Sequence, residues 1–171
     1  MFDVQHWLAS GGIVLLAAIV FAESGLLFGF FLPGDSLLFV AGFLTSATAG
    51  HVLPALPVTC AVAFVAAAAG DQVGYLLGRR LGASAFVRPR SRLFNPANVE
   101  RTHAFFARKG PKAVVLARFV PVVRTFTPMV AGVGGMDYRT FTTYNLVGAA
   151  LWGAGLTTLG HFLGEIEFIK D

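Results

Sequence analysis

Apolar residues fill four long stretches of the chain, and only two of these are uninterrupted. Residues 52–77, opened by Pro54 and Pro57, and residues 140–163, broken only by Thr, Asn and Gly, are each long enough to cross a bilayer, because roughly 20 helical residues at about 1.5 Å each span the hydrocarbon. The pattern predicts a transmembrane helix over each. The other two stretches are punctuated. Residues 11–32 run into Pro33-Gly34, a turn signal that removes a backbone donor and permits positive φ, and only about 15 apolar residues follow before Gly50, too few for a span. Residues 113–135 carry Pro121, Pro128, Gly132, Gly134 and Gly135, which predicts two short limbs in place of one helix. Broken backbone survives inside a membrane only where protein or water covers it, so both stretches read as re-entrant hairpins.

Between the hairpins, Asn95-Pro96 forms a helix start, with proline at the first helical position, and Gly110-Pro111 a stop. The intervening helix sets Val99, Phe105 and Phe106 against Glu100, Arg101, Arg108 and Lys109, a pattern suited to the membrane interface. A repeat emerges once these pieces are placed. Phe31-Leu32-Pro33 with Val40-Ala41-Gly42 parallels Phe119-Val120-Pro121 with Val130-Ala131-Gly132, and Leu77-Gly78-Arg79-Arg80-Leu81-Gly82 parallels Leu159-Gly160-His161-Phe162-Leu163-Gly164. Each unit is a hairpin plus one span. A hairpin returns to its own side and a span crosses, so the two units insert upside down relative to each other. The expected fold is therefore an all-α integral membrane protein built as one domain over residues 1–171: repeat 1 over about 11–82, a basic linker with the interfacial helix over 83–112, and repeat 2 over about 113–164.

Composition agrees. With 56% hydrophobic residues, 17 Phe and 13% charged residues, and a mean hydropathy of +0.71, the chain is far more apolar than a soluble domain. Nine of the 13 Lys and Arg fall between Arg79 and Lys112, opposed there only by Glu100, which reads as a positive-inside cytoplasmic loop and not as a nucleic-acid patch. That placement puts both termini outside if each hairpin returns to its own side; a full crossing by residues 11–32 would put the N-terminus inside. No Lys or Arg precedes the first apolar run, so a cleaved leader is not expected. The lone Cys60 excludes an intramolecular disulfide, and His51, His103 and His161 lack metal-ligand spacing, so neither a metal nor a cofactor is expected.

The chemistry lies in charges set among apolar residues. Arg118 and Arg124 flank Pro121, and Glu23, Asp35 and Asp71 lie in equally apolar surroundings. A guanidinium cannot be deprotonated, so burying one without a partner costs at least a few kcal/mol, and an intramembrane ionisable residue points to a site and a partner. The acidic hairpin carrying Glu23 and Asp35 would face the basic hairpin carrying Arg118 and Arg124. Six residues of unbroken helix would point the two arginines about 240° apart, but a break at Pro121 lets them converge. Asp71 reads as a cap or local partner near Tyr75 and Arg79. Trp152, Tyr138 and Tyr144 read as interface anchors or packing groups.

These residues also carry a resemblance. Glu23 through Pro33-Gly34-Asp35, then Gly70-Asp71 with Tyr75 and Gly78-Arg79, then Arg118-Phe119 with Pro121, Arg124-Thr125 and Ala131-Gly132, resemble the DedA family of bacterial membrane proteins from about residue 20 to residue 164. The resemblance implies two opposed re-entrant hairpins, a place in the bacterial inner membrane and a role in moving lipids across it, including recycling of undecaprenyl phosphate driven by the proton gradient. It maps essential acidic positions onto Glu23 and Asp35 and essential basic ones onto Arg118 and Arg124. Many members continue into a further C-terminal hydrophobic helix, for which Glu165 to Asp171 offers no counterpart.

Paired arginines can grip a polyisoprenyl phosphate headgroup bidentately in a low-dielectric cavity, which makes Arg118, Arg124 and the adjacent Thr125 the candidate substrate-binding residues. Glu23 and Asp35 are the candidate proton-coupling pair: phosphate competing for the arginines would free a carboxylate to take up a proton. Asp71, Tyr75, Arg79, Pro33, Gly34 and Pro121 are structural or secondary. Three alternatives stay open: the charge pairs hold the hairpins together and nothing more, the cavity takes a non-lipid ion or proton, or the chain is an intramembrane lipid phosphatase. The last needs a nucleophile with its base, and Thr125 is the only hydroxyl beside Arg124, so an enzyme is not expected. Oligomeric state is unreadable, and a homodimer is left open.

Overall fold

A computed structural model describes residues 4–25, 34–85, 104 and 106–166, all of them helical or in turns between helices. In chain order the elements are α1 (Val4–Gly25), α2 (Gly34–Phe43), α3 (Leu56–Ala85), α4 (Lys112–Ala117), α5 (Pro121–Val133), α6 (Tyr138–Ala149), a single π-helical turn (Ala150–Ala154) and α7 (Gly155–Glu165). The last three run on as one 28-residue helix, Tyr138–Glu165. That helix and Leu56–Leu81 are the two among the described residues long and apolar enough to cross a membrane. They coincide with the two uninterrupted apolar runs. The break at Pro33, the Asn95-Pro96 cap, His103 and most of the basic linker lie outside the described residues.

Local chemistry explains where the helices stop. After α2, the Thr45 and Ser46 hydroxyls donate to the carbonyls of Gly42 and Phe43, at 2.7 Å each, and so satisfy two groups the helix end leaves open. The chain then turns through Gly50 and His51, both at positive φ. In the second punctuated stretch α4 ends at Ala117, and Val120 is extended (φ −111°, ψ 107°) because the ring of Pro121 crowds the residue before it. Pro121 then opens α5, where its missing N–H is no loss. The stretch thus forms two limbs, as its prolines and glycines predict, and the break falls at Pro121 and not at Pro128 or Gly132. A proline inside a helix removes one hydrogen bond without ending it, and Pro128 stays within α5, packed against Gly74 of α3. The helix ends instead at Gly134 and Gly135.

α3 is the central pillar, with α1 and α5 packed along it, while α2 lies against α7. Two of these crossings are backbone-to-backbone. At Gly78 and Gly132, α3 and α5 approach so closely that a Cβ on Gly132 would meet the carbonyl of Tyr75 and the amide of Arg79, and one on Gly78 would meet Met129. At Gly42 and Gly160, α2 and α7 meet in the same way through Thr157, His161 and Phe39. Glycine pairs of this kind let apolar helices gain close van der Waals contact where no hydrophobic force drives association. These four glycines occupy matching places in the Val-Ala-Gly and Leu-Gly motifs that occur twice along the chain.

Two buried clusters result. One gathers Leu16, Val20, Leu38, Ala63, Ala67 and Trp152 where α1, α2, α3 and the π turn meet. The other gathers Tyr75, Val114, Met136 and Phe141, with the Tyr75 and Phe141 rings stacked at 4.4 Å. The charged residues lie between them.

The crossing at Gly132 gives a direct test. Gly132→Val should lower the melting temperature in detergent, with a destabilisation of about 1–3 kcal/mol or outright loss of folded protein. Gly11→Ala, at a position with nothing within 4 Å, should leave the melting temperature unchanged or slightly raised.

Candidate functional site

Helices that would otherwise leave charge buried and unpaired meet at one place. Arg118 follows the last residue of α4, and Arg124 lies in the first turn of α5. A cation there opposes the positive end of the α5 dipole, so carboxylates must hold it. They come from α1 and α2. Arg124 donates through Nη2 to Glu23 Oε1 and through Nη1 to Asp35 Oδ1, so one guanidinium straddles two carboxylates far apart in sequence. Asp35 lies in the first turn of α2, where a carboxylate is favoured by the helix dipole. Glu23 is set against Gly34: a Cβ on Gly34 would overlap the Glu23 carboxyl group, so a larger residue there would have to displace that carboxyl from its present place. The side chain of Pro121 lies outside the described residues, but its place at the head of α5 fixes the separation of the two arginines.

Arg118 has different partners from the ones its position suggested. It donates through Nη1 to Asp71 Oδ2 and to Asn145 Oδ1, the latter at 2.9 Å, and Asn145 donates in turn to the Ala68 carbonyl at 3.1 Å. The two arginines therefore share one neighbourhood and divide the carboxylates between them. Asp71 is not a local partner of Tyr75 and Arg79. It is buried on α3 facing the α4–α5 break, whereas the Tyr75 hydroxyl donates to the Met136 carbonyl and Arg79 donates to the Tyr75 oxygen at 3.5 Å. The reason is energetic: with Arg118 buried, leaving its guanidinium without a counter-charge would be strongly destabilising, and Asp71 supplies that charge. Thr125 is buried on α5, but the hydroxyls that line the small cavity between the arginines belong to Ser24 and Thr127.

Of the two roles open to Trp152, interface anchor or packing group, the structure gives the second: its side chain is buried. It stands in the π-helical turn, whose extra residue re-aims the side chain, and turns of this kind occur often at functional sites. Its ring lies under both guanidinium groups, 4.5 Å from Arg124 and 5.5 Å from Arg118, and its Nε1 donates to Asp35 Oδ1 at 2.7 Å. Asn145 and Trp152, like the cavity-lining Ser24 and Thr127, are site residues sequence reasoning missed. An asparagine in the middle of an otherwise spanning apolar run was the available signal for the first. The register that brings Trp152 inward depends on the π turn and has no local signature.

Two open spaces adjoin the cluster. A cavity of about 10 Å³ between Asp71, Arg118, Arg124, Thr127 and Trp152 has room for one water molecule. Arg118 Nε and Glu23 Oε2 are buried without a hydrogen-bond partner among the described residues. A larger groove of about 330 Å³ is lined by Asp35, Arg118 and Trp152 together with Phe119, Leu151 and Leu159, three exposed apolar side chains. The groove thus combines charged and apolar walls.

Comparison with known proteins places the fold in context. The model of the VTT domain matches residues 32–162. The chain belongs to the VTT-domain, or DedA, family. It is 45% identical over 157 residues to Protein DedA of Escherichia coli K12, covering 92% of this chain and 71% of that protein. It is 43% identical over 175 residues to an uncharacterized membrane protein of Mycobacterium tuberculosis, covering 99% of this chain and 76% of the relative. It is 37% identical over 158 residues to the inner membrane protein YqjA of Escherichia coli K12, covering 91% and 70%. No solved structure matches the chain.

The Arg118 assembly should behave as a buried ion pair. Asp71→Ala is expected to destabilise the protein by about 3–5 kcal/mol, because it leaves a guanidinium buried and uncompensated. Asp71→Ala combined with Arg118→Met should recover most of that loss, as measured by thermal unfolding in detergent.

Proposed function

We propose that the chain is a proton-coupled transporter of a lipid phosphate in the bacterial inner membrane, with the polyisoprenyl carrier undecaprenyl phosphate as the favoured substrate. One observation carries the reading: the Arg124 guanidinium, clamped by two carboxylates and stacked on an indole, holds Asp35 and Trp152, which together with Arg118 line a groove whose other walls are apolar. Such a groove suits a ligand with a small anionic head and a long hydrocarbon tail. A phosphate is a better bidentate partner for a guanidinium than either carboxylate alone. Its arrival frees a carboxylate in an apolar setting, where the neutral form is favoured and a proton is taken up. The Arg118–Asp71–Asn145 set we assign to holding α3, α4 and α6 in register, with Arg118 also contributing to the wall of the groove.

We read the two halves as inverted units. The crossed packing supports this, because the second limb of each hairpin, α2 or α5, lies on the span of the other half through equivalent glycines. The family membership and the names of its inner-membrane relatives support the location. Binding and transport are favoured over hydrolysis because the cavity is lined by guanidinium, carboxylate, indole and hydroxyl groups, the Thr127 hydroxyl being already committed to the Val123 carbonyl at 2.7 Å.

The test uses two shape-conserving variants. Arg124→Lys keeps the charge and removes the planar fork, so polyisoprenyl phosphate translocation in proteoliposomes should fall by about tenfold or more, the worth of one lost charge-assisted hydrogen bond. Glu23→Gln keeps the shape and removes titration, so translocation should lose its dependence on pH. Folded variants that both translocate at normal rates across the pH range would contradict the proposal.

A further inference from the structure

The two carboxylates that hold Arg124 are not equivalent. Glu23 is enclosed, with a side chain only 3% exposed and its carboxyl set against the backbone of Gly34. Asp35 stands at the groove rim with its side chain 44% exposed. A single oxygen of Asp35, Oδ1, receives both the Arg124 Nη1 donor and the Trp152 Nε1 donor. Neither donor can be switched off: a guanidinium stays protonated, and an indole nitrogen only donates. Two fixed donors thus converge on one point that opens to the groove, and a short carboxylate on the first turn of α2 fills that point.

We infer that the Asp35 carboxylate is a resident stand-in for the ligand: an anionic phosphomonoester headgroup entering by the groove displaces it and takes over its two donors, Arg124 Nη1 and Trp152 Nε1. The inference rests on the lipid-phosphate reading above and names the residue that moves and the donor that sequence reasoning missed. Rotation of Asp35 about its own side-chain bonds carries it from the rim into the groove mouth, with no backbone movement. Glu23 has no such path and stays as the fixed counter-ion of Arg124. Trp152 serves both occupants, so its ring and its N–H have separate tasks: the ring lies under the two guanidinium groups, and the N–H marks the headgroup position.

Shared donors predict a specific non-additivity. Farnesyl phosphate is the probe, with farnesol and inorganic phosphate as the tail-only and head-only controls, and affinities are measured by calorimetry on the full chain in detergent. Asp35→Asn, a weaker competitor of the same shape, should bind farnesyl phosphate about tenfold more tightly than the native chain. Trp152→Phe weakens resident and ligand alike, so its effect should be small in the native chain and about tenfold in the Asp35→Asn background. An equal effect of Trp152→Phe in both backgrounds, or no tightening in Asp35→Asn, overturns the inference. Farnesol binding as tightly as farnesyl phosphate overturns it too, and inorganic phosphate doing so overturns entry by the groove.

A second measurement needs no change at the site. The chain has 2 Trp, so Trp7→Phe leaves Trp152 as the single indole N–H in a ¹⁵N spectrum. Saturating farnesyl phosphate should shift that resonance, and farnesol should not. Binding without a shift overturns the displacement of Asp35 and leaves the lipid-phosphate reading standing. Absence of any farnesyl phosphate binding, in the native chain and in every variant, defeats that reading itself.

Discussion

The structure depends on a positive charge that cannot be removed. Arg124 stands in the first turn of a helix, among apolar neighbours, at the dipole end least suited to a cation. Neutralisation is closed to a guanidinium, so the fold must bring negative charge to it, and it does so from two other helices at once. Glu23 at the end of α1 and Asp35 at the start of α2 can meet on one guanidinium only if α1, α2 and α5 converge. Convergence in turn needs α2 and α5 to be short, and the proline-headed start of α5 and the hydroxyl-capped end of α2 provide that. The ion cluster and the broken helices are therefore one requirement seen from two sides.

Packing makes the convergence affordable. Apolar helices in an apolar medium gain little from burial, and the close crossings at Gly78–Gly132 and Gly42–Gly160 replace that force with backbone contact. Each crossing fixes a short limb on a long one: α5 on α3, and α2 on α7. With the limbs fixed, Arg118 and Arg124 keep a constant spacing, and Trp152 can lie beneath both. The result is a polar site with a rigid floor and one open side, where Asp35 meets the groove.

Much of this could be read from the residues alone. Charges stand out in apolar runs, so Arg118, Arg124, Glu23, Asp35 and Asp71 identify themselves, and Pro121 marks where a helix begins anew. Pairing could not be read in the same way. Which carboxylate meets which arginine depends on helix rotation and on contacts between residues far apart in sequence, and Asp71 went to Arg118 on exactly such a long-range contact. Pro128 stayed inside α5 because tertiary packing on Gly74 outweighed its local preference. Trp152 reads as an interface anchor or a packing group, and its buried place in the π turn, beside both arginines, is set by the assembled fold. Ser24 and Thr127, in place of Thr125, line the cavity for the same reason: a position's helix face is set by the whole fold.

The most direct test of the account is the distance between the Arg124 guanidinium and the phosphorus of a bound lipid phosphate. Rotational-echo solid-state NMR between ³¹P of a polyisoprenyl phosphate and ¹⁵N-arginine in the membrane-embedded chain reads it, with Arg124→Lys identifying the signal. The account predicts strong dephasing from a separation of about 4–5 Å, the reach of a charge-assisted bond from a guanidinium nitrogen to a phosphate oxygen, and its loss in Arg124→Lys. Lipid phosphate bound to the chain with no dephasing at arginine nitrogen, or with dephasing unchanged in Arg124→Lys, would contradict it.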